Sequence, residues 1–142
     1  MSIVQGQTTA FKQNLLSGLE NFAAGTPYTY KIALYNGLAN LDSSTTSYTA
    51  TNEITGSGYV AGGQTLTVIP PNSDNSAYTA WVSFQNVTWN PASFTCRGAL
   101  IYNATTGAAV AVLNFGSDKT ATSTFTVQFP TADATNAIIR IA

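Results

Sequence analysis

The chain contains 142 residues with a net charge of −1, and 8% of its residues are charged, against about 25% in a typical soluble domain. The five basic residues are scattered, whereas a surface that binds nucleic acid needs them clustered. There is no histidine, which excludes catalytic triads with a histidine base, and a single cysteine excludes an internal disulfide. The composition therefore predicts one non-enzymatic domain, spanning residues 1–142, that does not bind nucleic acid.

The N-terminal part predicts an arm followed by one helix. The segment at residues 1–7 is short and of mixed polar and apolar composition, and we interpret it as an extended arm. A helix is predicted over residues 8–22, because Thr8 or Thr9 can cap it and because helical spacing relates Phe11, Leu15, Leu19 and Phe22. No leader-like segment opens the chain and no apolar stretch approaches roughly 18 residues, so we expect neither a signal peptide nor contact with a membrane.

Residues 28–142, apart from the segment 38–63, show runs in which apolar and polar side chains alternate, as is typical of β-strands. Strands are predicted at residues 28–35, 64–69, 77–85, 94–103, 108–115, 122–129 and 137–141, and Val87 and Trp89 are predicted to continue the third of these after an irregularity near Asn86. Pro70-Pro71 is predicted to end the second of these strands, and residues 116–119 are predicted to form a turn. The predicted fold is all-β, a jelly-roll-like antiparallel β-sandwich of about seven or eight strands with one short N-terminal helix.

Two strands carry most of the predicted core. In residues 94–103, one face is predicted to point inward, with Phe94, Cys96, Gly98, Leu100 and Tyr102. In residues 77–85, one face is predicted to hold Tyr78, Ala80, Val82 and Phe84. Cys96 is interpreted as a core residue rather than a nucleophile, and Trp81 and Trp89 are also interpreted as core residues.

Residues 38–63 are long, irregular and rich in Ser, Thr, Asn and Gly. A segment of this length in a small domain is usually functional or makes contacts. Tyr48 and Tyr59 within it are candidate anchors for a partner, with a place in the core as an equal alternative. The glycines match no phosphate-binding motif and the carboxylates are dispersed, so no cofactor, metal ion or catalytic residue is predicted.

Six segments of the chain carry a family resemblance. They are residues 11–18 (FKQNLLSG), 30–35 (YKIALY), 48–53 (YTATNE), 56–63 (GSGYVAGG), 97–103 (RGALIYN) and 129–141 (FPTADATNAIIRI). Together they resemble small structural proteins of tailed bacteriophages, a family that includes capsid cement (decoration) proteins with a jelly-roll-like fold. The resemblance implies a virion protein that binds the outer surface of an HK97-like major capsid shell and reinforces contacts between capsomers.

A weakly charged surface is typical of a protein that is largely covered in an assembly. The expected partners are the major capsid protein and other copies of this chain, in a homodimer or homotrimer, on the capsid exterior after synthesis in the host cytoplasm. Candidate contact residues are Ile3 and Val4 in the arm, together with Tyr48 and Tyr59. Deletion of the whole arm, residues 1–7, is expected to leave the domain folded but to weaken its retention on capsids. The alternative is a carbohydrate- or receptor-binding module of a tail fibre or tip, in which Tyr48, Tyr59 and Trp89 form a stacking platform.

Overall fold

Antiparallel β-strands make up most of the regular secondary structure in this computed structural model, which describes residues 2–142. Within those residues there is one helix, α1 (Thr9–Leu16), and there are ten strands. The strands are β1 (Gly6–Gln7), β2 (Tyr30–Tyr35), β3 (Gln64–Thr65), β4 (Val68–Asp74), β5 (Thr79–Phe84), β6 (Val87–Trp89), β7 (Phe94–Asn103), β8 (Ala109–Ala121), β9 (Phe125–Val127) and β10 (Ile139–Ile141). The prediction of an all-β fold with one short N-terminal helix is confirmed.

The strands form one large sheet and two smaller ones. The large sheet has the order β1-β8-β7-β2-β3, the second has the order β10-β5-β4, and β6 pairs with β9. The main hydrophobic core joins all three sheets, for example through Ile32 on β2, Phe84 on β5 and Trp89 on β6, each no more than 1% exposed. This burial of facing apolar surfaces makes the fold a β-sandwich.

The large sheet is also buried on its outer face. A second hydrophobic cluster lies there, in which residues of β2, β7 and β8 are covered by Ile3, Ala39 and Leu41, with Tyr48 packed alongside. The irregular segment at residues 38–63 therefore packs partly on the large sheet instead of projecting from it. The two covered faces explain why β2 and β7 are buried at nearly every position.

A β-bulge in β7 changes which face its alternate residues occupy. The pairing with β8 shifts between Cys96 and Gly98. Phe94 and Cys96 lie in the main core, whereas Leu100 and Tyr102 lie in the second cluster. The prediction that these four side chains share one face is therefore wrong, because the bulge shifts the alternation by one residue. Cys96 is fully buried, as predicted.

Helix α1 ends earlier than predicted. Thr8 caps its start, since the Thr8 hydroxyl accepts the N–H of Phe11 at 3.0 Å. The helix ends at Leu16, and Gly18 follows with a φ of 73°, a conformation that commonly terminates helices. Phe22 still reaches the core from an irregular segment, so its helical spacing reflects burial without helical structure.

Two predicted strand ends are also wrong. Strand β4 continues through Pro70-Pro71 to Asp74, with an irregular register between Ile69 and Asn72. A proline has no N–H to donate, which an edge strand such as β4 tolerates. Strand β8 continues through residues 116–119, which were predicted to form a turn, and its pairing with β7 resumes at Lys119.

The N-terminal segment is part of the fold, and the prediction of a free arm is wrong for residues 2–7. Ile3 is 8% exposed and lies over Gly98, where an added Cβ would come within 2.8 Å of the Ile3 side chain. The N–H of Val4 donates to the carbonyl of Leu41 at 2.8 Å, and β1 pairs with β8. Met1, the remaining residue of the predicted arm, lies outside the described residues.

Candidate functional site

The six carboxylates of the chain are each engaged by neighbouring groups. Backbone N–H groups bind the side chains of Asp42, Asp74 and Asp133 in turns, and Asp118 forms a salt bridge of 3.4 Å with Arg97. Glu20 and Glu53 accept hydrogen bonds inside the domain. Within residues 2–142, no group of three or more His, Cys, Asp or Glu side chains is placed to hold a metal ion.

Glu53 is the centre of a hydrogen-bond network in the irregular segment. Its Oε1 accepts the hydroxyl of Tyr48, and its Oε2 accepts the hydroxyl of Tyr59 and the N–H of Gly62 at 2.7 Å. The carbonyl of Gly62 accepts the hydroxyl of Tyr102 at 2.7 Å, which ties the same loop to strand β7. One carboxylate thus fastens three points of the segment between residues 48 and 62.

The two tyrosines predicted as anchors are held by this network. Tyr48 stacks on Tyr102 with ring centroids 4.8 Å apart. The half-buried Tyr59 accepts the N–H of Leu34 at 3.0 Å, and its ring lies against Trp89. Burial, followed by the hydrogen bond to Glu53, raises the pKa of Tyr59 well above its usual value. Both side chains are therefore bound within their own domain.

Close backbone packing holds the end of the same loop. Gly63 has a φ of 79°, and a Cβ at this position would lie 1.7 Å from the carbonyl oxygen of Ile32. A side chain is therefore excluded here by both conformation and space. The glycines of this segment allow the chain to approach the sheet, which is a structural reason for their presence.

We expect Glu53→Ala to release the irregular segment while the sandwich stays folded. The change leaves the hydroxyls of the half-buried Tyr48 and Tyr59 and the N–H of the buried Gly62 without their acceptor. An unsatisfied group costs about 1–3 kcal/mol where it is buried, as at Gly62. Amide exchange at Gly62, followed by NMR, should accelerate at least about tenfold, since each 1.4 kcal/mol lost from the local opening free energy is tenfold. Thr51→Ala, at an exposed position of the same segment, is the control. Unchanged exchange at Gly62 would contradict the network.

The other aromatic and thiol candidates lie mainly inside. Trp89 is 1% exposed, which confirms its predicted core position. Trp81 is only half-buried and borders an open groove, so its predicted place in the core is wrong. Burial raises the pKa of the Cys96 thiol to about 12, with a smaller contribution from the charge of Asp118. Cys96 is therefore a neutral core residue at physiological pH.

The most exposed part of the described chain is the β4–β5 hairpin, residues 70–78. It is the longest continuous run of exposed residues between positions 2 and 142. Tyr78 at its end is 86% exposed and has a φ of 53°. Tyr78 was predicted to share a face with Val82 and Phe84, but it lies beyond the region where that face is covered. The hairpin therefore holds an aromatic side chain in solvent.

An apolar groove lies beside the base of this hairpin, between α1 and the sheet β10-β5-β4. Its volume is about 130 Å³. It is lined by Phe11, Leu15, Phe22, Pro71, Ala80, Trp81, Val82, Ile139 and Ile141. These residues carry no charge, so the groove suits an apolar or aromatic group.

Val4 is 51% exposed, unlike its neighbour Ile3, and is the one predicted contact residue of the N-terminal segment with a largely accessible side chain. Sequence reasoning did not identify the hairpin or the groove as a site. Between residues 2 and 142, none of the helices has the length and apolar character needed to span a membrane. Comparisons with family models, curated proteins and solved structures found no match.

Proposed function

We propose that this chain is a capsid cement protein, which binds the outer surface of an HK97-like major capsid shell and reinforces the contacts between capsomers. The observation that supports this proposal most is the surface. Only 8% of the residues are charged, and Leu16, Val60 and Tyr78 are 91%, 75% and 86% exposed. Covering a neutral surface avoids the desolvation cost of burying charges, which favours permanent coverage in an assembly.

The internal structure is consistent with such a role. The large sheet is covered on both faces, and the Glu53 network fastens the irregular segment to it. A subunit that is ordered before it binds loses little conformational entropy on attachment. This rigidity suits a protein whose task is to hold its neighbours in place.

The family resemblance supplies the partner in this proposal, the major capsid protein. The protein is made in the host cytoplasm and placed on the capsid exterior. A shell presents each weak site many times, so modest contacts become strong once subunits are linked in a homo-oligomer. Attachment is mainly apolar and hydrogen-bonded, and is therefore only weakly sensitive to salt.

The alternative, a carbohydrate- or receptor-binding module of a tail fibre or tip, has less support. The stacking platform predicted for it requires exposed faces on Tyr48, Tyr59 and Trp89. The two tyrosines are hydrogen-bonded to Glu53, and Trp89 is buried. No observation favours this function over the first, so it is not proposed.

We expect quantitative mass spectrometry of purified virions to find this chain at near-stoichiometric amounts with the major capsid protein. Electron cryo-microscopy of the same particles should place its density on the outer surface of the shell. The matched control is a particle preparation from a phage lacking the gene, in which that density should disappear. A handful of copies per particle would move the protein to the tail, and its absence from particles would contradict the proposal.

A further inference from the structure

The groove described above marks the point where the sheet β10-β5-β4 extends past its covering segment. Ile139 pairs with Val82, and both side chains are buried, at 3% and 5% exposed. At the next pair on the same face, Ala80 is exposed and Ile141 is 57% exposed. The apolar face of this sheet is therefore half covered by its own chain and half open.

The hairpin that presents Tyr78 continues from the open half of this face. Tyr78 is the last residue of the turn before β5, and Ala80, two residues further on, lines the open groove, so the exposed tyrosine and the groove are close in the chain. The turn is fixed by Asp74, whose Oδ1 accepts the N–H of Ser76 at 2.8 Å. The tyrosine is thus held outward by an ordered turn.

The size and chemistry of the groove match a single aromatic ring. Its volume is about 130 Å³, and its lining residues are apolar, with Phe11, Phe22 and Trp81 among them. An apolar cavity of about 150 Å³ is known to take up benzene. The ring of a tyrosine is of this size, and its hydroxyl can remain at the open side in contact with water.

A second copy of this chain is the partner that fits both features. When a protruding group and its receiving groove lie close together on one subunit, a two-fold axis between them places each group in the groove of the other copy. Such an interface brings identical charges together, which is costly unless the surface is neutral. The lining residues of the groove carry no charge, and Arg140 alternates with Ile139 and Ile141 toward the opposite face of β10.

We infer that two copies of this chain form a dimer in which Tyr78 of each copy fills the apolar groove of the other. This inference deepens the self-association within the proposed function and rests on that part of it. Contact with the capsid shell is not required. The interface also covers Ile141, which accounts for its 57% exposure in the single chain.

The test is the oligomeric state of the isolated full-length chain, measured by mass photometry and by light scattering during size-exclusion chromatography. The wild-type chain should be a dimer. Tyr78→Ala should raise the dimer dissociation constant by at least about thirtyfold, as expected for a central aromatic anchor. Ala80→Phe, which fills the groove from within, should have the same effect. The control is Val60→Ala, which removes a 75%-exposed apolar side chain elsewhere and should leave the dimer unchanged.

Thermal unfolding of both variants, measured at a concentration where the wild type is dissociated, should match the wild type, because Tyr78 and Ala80 are exposed in the single chain. A wild-type monomer, a trimer, or a dimer that tolerates both substitutions would each overturn the inference. These measurements use the isolated chain and say nothing about whether it is part of the virion. The proposed function is tested independently, by mass spectrometry of purified virions, so the two proposals can fail separately.

Discussion

Replacing Ile3 by alanine is expected to lower the free energy of unfolding by about 2–5 kcal/mol, the range for a buried isoleucine truncated in a core. Ile3 is 8% exposed and packs in the second hydrophobic cluster with Leu41 and Leu100. Its side chain also fills the space above Gly98, where the strand has no side chain of its own. Truncation leaves a cavity that the sheet cannot close, because β7, the strand beneath Ile3, is held in place by its pairing with β2 and β8.

Val4→Ala is the matched control for this prediction. Val4 is adjacent in the chain and also β-branched, but it is 51% exposed, so its truncation should change stability by less than about 0.5 kcal/mol. Urea unfolding of the two variants, followed by the fluorescence of the buried Trp89, gives the comparison. Equal midpoints for the two variants would show that the N-terminal segment does not pack on the sheet.

Deleting residues 1–7 should be more damaging than Ile3→Ala. The deletion removes β1 and the carbonyl of Ser2, which accepts the N–H of Leu41 at 3.0 Å. It also removes the carbonyl of Ile3, which accepts the side-chain N–H of Asn114 at 2.9 Å. Weaker retention of the truncated chain on capsids would therefore report lost folding stability, and an attachment experiment needs point variants such as Val4→Ala instead.

The strands were predictable from the sequence where the alternation of side chains is uninterrupted. Phe125 and Val127 on β9 both pack in or against the main core, as their spacing predicted. From Gly98 onward the alternation predicts the wrong face of β7. The bulge there arises from pairing with β8, a separate strand, and leaves no mark in the sequence pattern of β7 itself. Strands β1 and β3 have two residues each, too few for any period to be visible.

The candidate site was less predictable, because its contacts join residues without a periodic pattern. Glu53 lies between Tyr48 and Tyr59 in the sequence, but only the fold turns both hydroxyls toward it. The groove combines α1 with strands β4, β5 and β10, which are separated by long stretches of chain. Alternation predicted an inward side chain for Tyr78, but this residue lies in the hairpin turn with a φ of 53°, where strand alternation no longer applies.

A second large effect is expected at Glu20, a buried carboxylate that joins the segment after α1 to the large sheet. Its Oε1 accepts the hydroxyl of Tyr30 at 3.0 Å and the side-chain N–H of Asn103 at 2.8 Å, while Oε2 is buried without a partner. Glu20→Ala leaves the side-chain N–H of Asn103 without its acceptor and leaves the Tyr30 hydroxyl only the longer contact to the carbonyl of Asn21 at 3.4 Å. A buried group that is left unsatisfied costs about 1–3 kcal/mol, and truncating a buried side chain adds to this. We therefore expect Glu20→Ala to destabilise the protein by several kcal/mol.

The same carboxylate should make stability depend on pH. Burial is the largest cause that raises the pKa of Glu20 above its usual 4.5, while the hydrogen bonds from Asn103 and Tyr30 lower it in part. Because the folded chain binds this proton more tightly than the unfolded chain, the contribution of Glu20 to stability is fully present below pH 4.5. It is lost as the pH rises from 4.5 through the raised pKa. Asp42 and Asp133, whose pKa values are lowered, act in the opposite direction at lower pH.

Glu20→Gln separates the charge from the hydrogen bonds. The amide oxygen can still accept from Tyr30 and Asn103, but no charge is buried, so the variant should match or exceed the stability of the wild type at pH 7. The difference in free energy of unfolding between the two proteins, measured by urea titration from pH 4 to pH 8, should shift toward the variant as the pH rises above 4.5. A difference that stays constant over this range would show that Glu20 titrates alike in the folded and unfolded chains, and that the carboxylate is solvated.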